Sequence, residues 1–392
     1  MHIPLEQLVL LGYLDSLFVE GSKREVAPRR ELPATLNQLY MQAMREHVRE
    51  HALLAPTATG WSGMPDWRLD RQVIRVALYL RERLGLEPGQ RVVLLSELRP
   101  EWLVADLAAL GSGAVSVAID PRLERDELAA ALEDAAPRIT FVSAAAQRAL
   151  ERLDGRAPPQ GQVIALDAAV AHDGAMTLQT LLDMGGILDT PERAQAHRAE
   201  ARAVGPDRPA LRHWRTRARG AGDWIELSQG EAIERLRTGW LREWAQAGDV
   251  AYVADPSVAL MSRLALYAFL GDGYTTTAIA GGGGTLDEVA ALRPAAIVAP
   301  PALLAAAVEA ARARAGVRRN GASQAVAGQA VQGGGGWLQR VAALAPRTSA
   351  RRQGGAIQSA LGGRARRIGS GEPLDAALGE QLGIAAMVMP TV

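Results

Sequence analysis

The chain has 392 residues, 48% of them hydrophobic, which is enough for one large α/β body or roughly two to three domains. Basic and acidic residues balance at 43 each, so no bulk positive field favours nucleic acid or an anionic membrane surface. There is no cysteine, which excludes disulfides, thiolate nucleophiles and thiolate metal sites, and Lys23 is the only lysine among the basic residues.

Residues 1–32 stand apart as an N-terminal extension. Leu8, Leu11, Leu14 and Leu17 recur at helical spacing and define one apolar face, expected to tuck onto the body or to dock a protein partner. The start has no basic n-region or small-residue cleavage pattern, and its apolar runs are too short to cross a bilayer. The expectation is a soluble, cytoplasmic protein with no membrane span.

From residue 33 the pattern alternates. A helix is expected over 35–54 with Thr35 as its N-cap, and a second over 71–90, closed by Gly85 and the Pro88-Gly89 turn. The continuous apolar run 91–97 reads as a buried parallel strand, followed by a helix with Pro100 in its first turn. Strand 114–120, helix 123–135 and strand 138–143 complete a doubly wound βαβαβ unit. The middle holds one strand, 162–167, and a solvated helix and connector over 190–210. Alternation resumes with strands at 250–256, 275–281 and 295–300 and helices at 257–269, 286–292 and 302–315. After a Gly-rich insert at 316–336 come a strand at 365–371, a helix near 374–382 and a terminal strand at 384–389.

The phrases LRERLGLEPGQRVVLLSELRPEWLVADLAALGSGAVSVAIDPRLERDELAAALEDAAPRITFVS, ALRPAAIVAPPALLAAAVEAA and LGGRARRIGSGEPLDAALGEQLGI carry a resemblance. The chain is similar to the large N-terminal domain of the adenylate-forming (AMP-dependent synthetase/ligase) superfamily, nearest to long-chain acyl-CoA synthetases. That resemblance implies one domain over 33–392, with doubly wound βαβ layers and without the superfamily's small C-terminal domain. It also implies ATP and Mg²⁺ as the groups bound and a fatty acyl ligand as substrate.

Active relatives wrap the ATP phosphates with a Ser/Thr/Gly-rich loop followed by Pro-Lys-Gly, whose amides, hydroxyls and lysine neutralise the anion. Here DRPALRHW and IELSQGEAI hold that register around RTRARGAGDW. Thr216 and Gly220 keep the expected residue types and are the candidate cofactor-binding positions. Arg215, Arg217, Ala218 and Arg219 replace the other small or hydroxyl residues, and Asp223 stands where the lysine would be, a repulsive carboxylate toward phosphate. Ala259 occupies the position resembling the family's acyl-site histidine, and the chain reads VMPTV where the aromatic-Gly-x-Thr-Glu turn is expected. No residue is assigned a catalytic or metal-binding role.

Other constellations read as structural. His47 to His51 matches H-x-x-E-H, which on a helix would put two imidazoles on one face, but no third ligand accompanies them. The glycine runs at 281–284 and 333–336 lack a strand–GxGxxG–helix setting and read as loop. Trp214, Trp224, Trp240 and Trp244 interleave with arginines, an arrangement favouring packing against the body over base stacking. The expectation is an acyl-CoA-synthetase-like pseudoenzyme that binds a ligand or partner. The alternative is an AMP-forming fatty-acyl-CoA ligase completed by a separate C-terminal chain.

Overall fold

The computed structural model describes residues 3–4, 31–46, 49–155, 159–167, 176–216, 222–237, 248–273, 275–326, 355–370, 372 and 374–382. Their strands form two sheets. Sheet I runs, in spatial order, β1 (Ile3–Pro4), β3 (Gly60–Met64), β2 (Leu53–Thr57), β11 (Thr276–Ala280), β10 (Val250–Ala254), β12 (Ala296–Val298) and β13 (Arg367–Gly369). Sheet II runs β7 (Gln162–Ala165), β6 (Ile139–Val142), β4 (Arg91–Leu95), β5 (Val115–Ile119), β8 (Pro209–Thr216) and β9 (Gly222–Ser228). All neighbours are parallel except β1 with β3, β2 with β3, and β8 with β9.

Strand alternation places the sheets. In β4, Val92 and Leu94 enter the central core while Val93 and Leu95 face an outer cluster. In β10, Ala251 and Val253 enter the same central core while Val250, Tyr252 and Ala254 face outward on the other side. Both faces of each sheet are therefore covered, which is why these strands read as continuous apolar runs rather than as alternating ones.

The central layer holds α1 (Leu36–Glu46), α2 (Asp66–Glu82), α3 (Pro100–Gly111), α8 (Gln229–Arg237) and α9 (Leu260–Gly271). Outside sheet II lie α4 (Arg125–Ala135) and α5 (Ala144–Glu151). Outside sheet I lie α10 (Leu286–Leu292), α11 (Pro301–Val326) and α12 (Ala376–Leu382). Two more helices, α6 (Leu178–Leu188) and α7 (Pro191–Ala203), lean on the central layer, α6 against α2 and α7 against α1, α2 and α3. Local chemistry sets their starts. Pro100 opens α3, Ser143, Thr177 and Thr190 cap α5, α6 and α7, and Thr285 with Glu288 forms a capping box on α10.

Several expectations are corrected here. The first helix ends at Glu46 rather than running to residue 54. Arg49 is pulled inward by Asp66, at 2.8 Å, and Leu53 and Leu54 pair with β3 and β11 instead of continuing a helical face. α7 is not simply solvated, because Ala194, His197 and Ala201 on its inner side are buried. α11 continues to Val326, well into the stretch read as flexible insert, whereas the strand expected at 384–389 lies outside the described residues. Within the expected extension, Ile3 and Pro4 add a short strand to β3. No helix among the described residues is long and apolar enough to cross a membrane.

Candidate functional site

In doubly wound sheets, ligands sit beyond the carboxyl ends of the strands where neighbouring connections diverge. β10 leads through α9 to β11 on one side, while its other neighbour β12 leads away to β13. The turn after β10, residues 255–259, therefore lies at a divergence point. Its geometry is fixed by one buried carboxylate. Asp255 Oδ1 accepts from the Ser257 backbone N–H at 2.9 Å and from its hydroxyl at 2.5 Å, and Oδ2 accepts from Ala259 N–H at 3.1 Å. Between them Val258 is held at φ 51° and fully buried, a left-handed conformation that a β-branched residue adopts only under constraint.

Sheet II contributes its own residues to this rim. Asp120, just past β5, accepts from the Arg122 backbone N–H at 2.8 Å and pairs with its guanidinium at 3.1 Å. Arg122 also reaches Glu372, beyond β13, at 3.4 Å, so it bridges the two sheets. Burial raises the Asp120 pKa and nearby Asp255 adds to the rise, against the pull of Arg122. A second group gathers where β4 and β6 diverge. Arg99 pairs with Asp167 at 2.7 Å and with Glu101 at 2.8 Å, and the Ser143 hydroxyl donates to Glu97 at 2.7 Å.

The β8–β9 hairpin projects beside this rim, and its strands are matched residue for residue. Arg212 opposes Glu226, Trp214 opposes Trp224, and Arg215 opposes Asp223. Arg215 Nη2 and Asp223 Oδ2 are 2.9 Å apart. The two indoles meet edge to face at a centroid distance of 4.9 Å, and the Arg212 guanidinium stacks 4.1 Å over the Trp224 ring. Arg212 Nε lies 2.8 Å from Glu226 Oε1, though not aligned for a hydrogen bond. Helix α4 completes the lattice. Glu127 accepts from the Trp214 indole at 2.8 Å, and Asp134 accepts from the Trp224 indole and from Arg212. Gly222 is required by this packing, since a methyl there would overlap the Trp214 ring.

Behind the hairpin a second polar group is sealed from solvent. Arg263 of α9 donates to Asp106 of α3 and to the hydroxyl and carbonyl oxygens of Ser116 on β5, and Tyr267 also donates to Asp106. Both side chains of the Arg263–Asp106 pair have zero exposure. His213 of β8 lies near this cluster. Burial, with the Arg263 charge close by, lowers its pKa to about 3, so the imidazole is neutral at pH 7.

The family described as AMP-binding enzyme matches residues 67–213, the segment that builds most of sheet II and α3. Over that segment the chain matches the AMP-binding enzymes of the adenylate-forming superfamily. It is 29% identical over 134 residues to the long-chain-fatty-acid–CoA ligase FadD15 of Mycobacterium bovis, a match covering 34% of this chain and 22% of that protein. A 99-residue segment is 35% identical to the nonribosomal peptide synthetase ungA of Aspergillus violaceofuscus, covering 24% of this chain and 1% of that protein. The chain thus spans only a small part of these relatives. Two solved structures share the fold: a red-emitting luciferase from Phrixothrix hirtus (TM-score 0.64, 13% identity, 93% of this chain and 62% of that one) and the N-terminal domain of FACL13 from Mycobacterium tuberculosis (TM-score 0.56, 16% identity, 90% and 73%).

The chain places its sequence-derived positions unevenly. Thr216 is the last residue of β8, exposed and opposite Gly222, while Gly220 lies outside the described residues, as do Arg217, Ala218 and Arg219. Asp223 is not a bare carboxylate: Arg215 answers its charge across the hairpin. Ala259 is the N-cap of α9, its N–H bound by Asp255. His47, Trp240, Trp244 and the terminal VMPTV lie outside the described residues, and His51 comes after the end of α1. Trp214 and Trp224 pack on the α4 cluster, as body packing requires.

Among the described residues no three carboxylate or histidine side chains converge on one point. Sequence reasoning missed the Arg99 and Arg122 groups, whose partners come from other elements. It also missed the Arg263 cluster, where an arginine inside an apolar helix was the available signal.

Proposed function

We propose that this chain is an acyl-CoA-synthetase-like protein that does not itself catalyse adenylation and acts by holding a ligand or partner at the rim of its two sheets. The observation that carries the reading is the hairpin. At the position where the resemblance expects a phosphate-neutralising lysine stands Asp223, and its negative charge is matched to Arg215 within the hairpin itself. A hairpin held by its strand pairing and stacked indoles, with the Asp223 charge already matched, keeps its shape without an anion. Lys23, the chain's single lysine, lies far from this segment in sequence.

A fatty acyl compound is the ligand class that similarity to a long-chain ligase supports. That same similarity supports the second reading, an AMP-forming acyl-CoA ligase that works together with a C-terminal chain. Pyrophosphate exchange tests between them, with ATP, Mg²⁺ and a panel of fatty acids, on the natural chain and on Asp223→Lys. The non-catalytic reading expects background exchange from both. Exchange well above background from the natural chain overturns it.

A further inference from the structure

The rim is not the only place where a titratable group is held under constraint. His197 sits on the inner side of α7 with 2% of its surface exposed, and its Nδ1 has no hydrogen-bond partner in the protein. The Nε2 edge of the ring lies against the end of α3, where a methyl at Gly111 would stand 3.1 Å from it. The imidazole also lines a narrow cleft with Tyr40, Asp70, Leu107, Arg198 and Tyr267. The cleft volume is about 20 Å³. That is above the 10–15 Å³ one water needs and far below the space for an acyl chain. There is room beside the ring for a single water.

The neighbours of His197 are arranged for a neutral imidazole only. From α2 come Arg81 and Asp70, and from α7 itself comes Arg198. Asp70 is already engaged by Arg198 at 2.6 Å and by the Tyr40 hydroxyl of α1. Glu200 of α7 is paired with Arg81, and Glu82 of α2 lies 3.7 Å from Arg193. From α9, the Tyr267 hydroxyl is bound to Asp106, which Arg263 neutralises. From α3 the facing residues are Leu107, Leu110 and Gly111. Among the described residues each nearby carboxylate is already paired with an arginine, and two guanidinium groups oppose an imidazolium. The consequence agrees with the geometry: burial, then Arg81 and Arg198, lower the His197 pKa to about 4.

What holds α7 in place is correspondingly slight. Its buried side chains are His197 and two alanines, Ala194 and Ala201. Beyond these are partly exposed ion pairs and two side-chain bonds to backbone carbonyls, Asn37 to Ala201 and Gln38 to Arg202. A helix with so little apolar contact opens more easily than the central helices it packs on and the sheets beyond them. Residues 204–208 join it directly to β8, the first strand of the hairpin.

We propose that α7 is an acid-released strap with His197 as its trigger: protonation of the buried imidazole undocks the helix and unties the root of the β8–β9 hairpin. The released ring takes its proton at the ordinary histidine value, so release deepens as pH falls from about 6.5 toward 4, by up to tenfold per pH unit.

The test is hydrogen–deuterium exchange of the full chain across that range, corrected for the intrinsic pH dependence of exchange and read on a peptide spanning 191–203. The natural chain should lose α7 protection by more than tenfold, before the central strands β4 and β10 do. In His197→Gln the loss should be at least tenfold smaller, and in His213→Gln it should persist. Should His197→Gln undock α7 already at neutral pH, an NMR titration of the natural chain decides. The proposal expects the His197 ring to stay neutral below pH 6 for as long as α7 is docked. A ring that titrates near 6.5 with α7 still protected overturns it, as does acid loss of α7 protection that is equal in His197→Gln.

Discussion

Arg263–Asp106 and Arg215–Asp223 are the same pair of chemical groups in two settings. The first lies between the sheets with no exposure on either side; the second lies on the hairpin with about a third of each side chain exposed. In the interior both charges have left water, and their attraction offsets the loss only because Ser116 and Tyr267 complete the hydrogen bonding. On the hairpin, solvent and salt already screen each charge, and the pair contributes little energy. Breaking the interior pair strands a charge away from water, whereas breaking the hairpin pair leaves one that solvent already screens.

That contrast can be broken at its strongest point first. Arg263→Met strands the Asp106 carboxylate in an apolar core, and the expected loss is about 3–5 kcal/mol, read as a lowered denaturation midpoint. Adding Asp106→Leu should return most of it, since a well-packed apolar pair often matches a buried ionic one. Gly222→Ala should come next, at about 1–3 kcal/mol, because its methyl forces the Trp214 ring off Trp224. Altered tryptophan fluorescence should accompany it. Arg215→Gln should be the mildest, within about 1 kcal/mol and less in high salt. A loss from Arg215→Gln as large as that from Arg263→Met would erase the distinction.

The parts legible in the sequence were those with local signatures. β4, β5 and β6 show continuous apolar runs, Pro100 marks the start of α3, and α10 was bounded at Leu286–Leu292 in agreement with its capping box. The expected helix over 35–54 takes in Leu53 and Leu54, whereas their strand partners, β3 and β11, are visible only in three dimensions. The α7 helix was legible but its burial was not, since alanines and one histidine make a weak apolar stripe. The hairpin did leave a trace. Arg212, Trp214 and Arg215 are mirrored by Asp223, Trp224 and Glu226 about residue 219 with the charges inverted, a pattern that sets strand register. The Arg122 and Arg263 groups draw on residues far apart in the chain, and no local spacing announces them.

The central claim is the proposed one, that the rim has lost nucleotide activation while remaining a place to bind. A thermal-shift titration of the purified chain addresses it directly, first with ATP–Mg²⁺ and then with a long-chain fatty acid. Ligand at about 100 times its dissociation constant stabilises a fold by about 2.7 kcal/mol, which is visible as a raised midpoint. The account predicts a shift with the acyl ligand and none with ATP–Mg²⁺. A clear shift with ATP–Mg²⁺, strengthened by a non-hydrolysable acyl-adenylate analogue, would contradict it and favour the ligase reading.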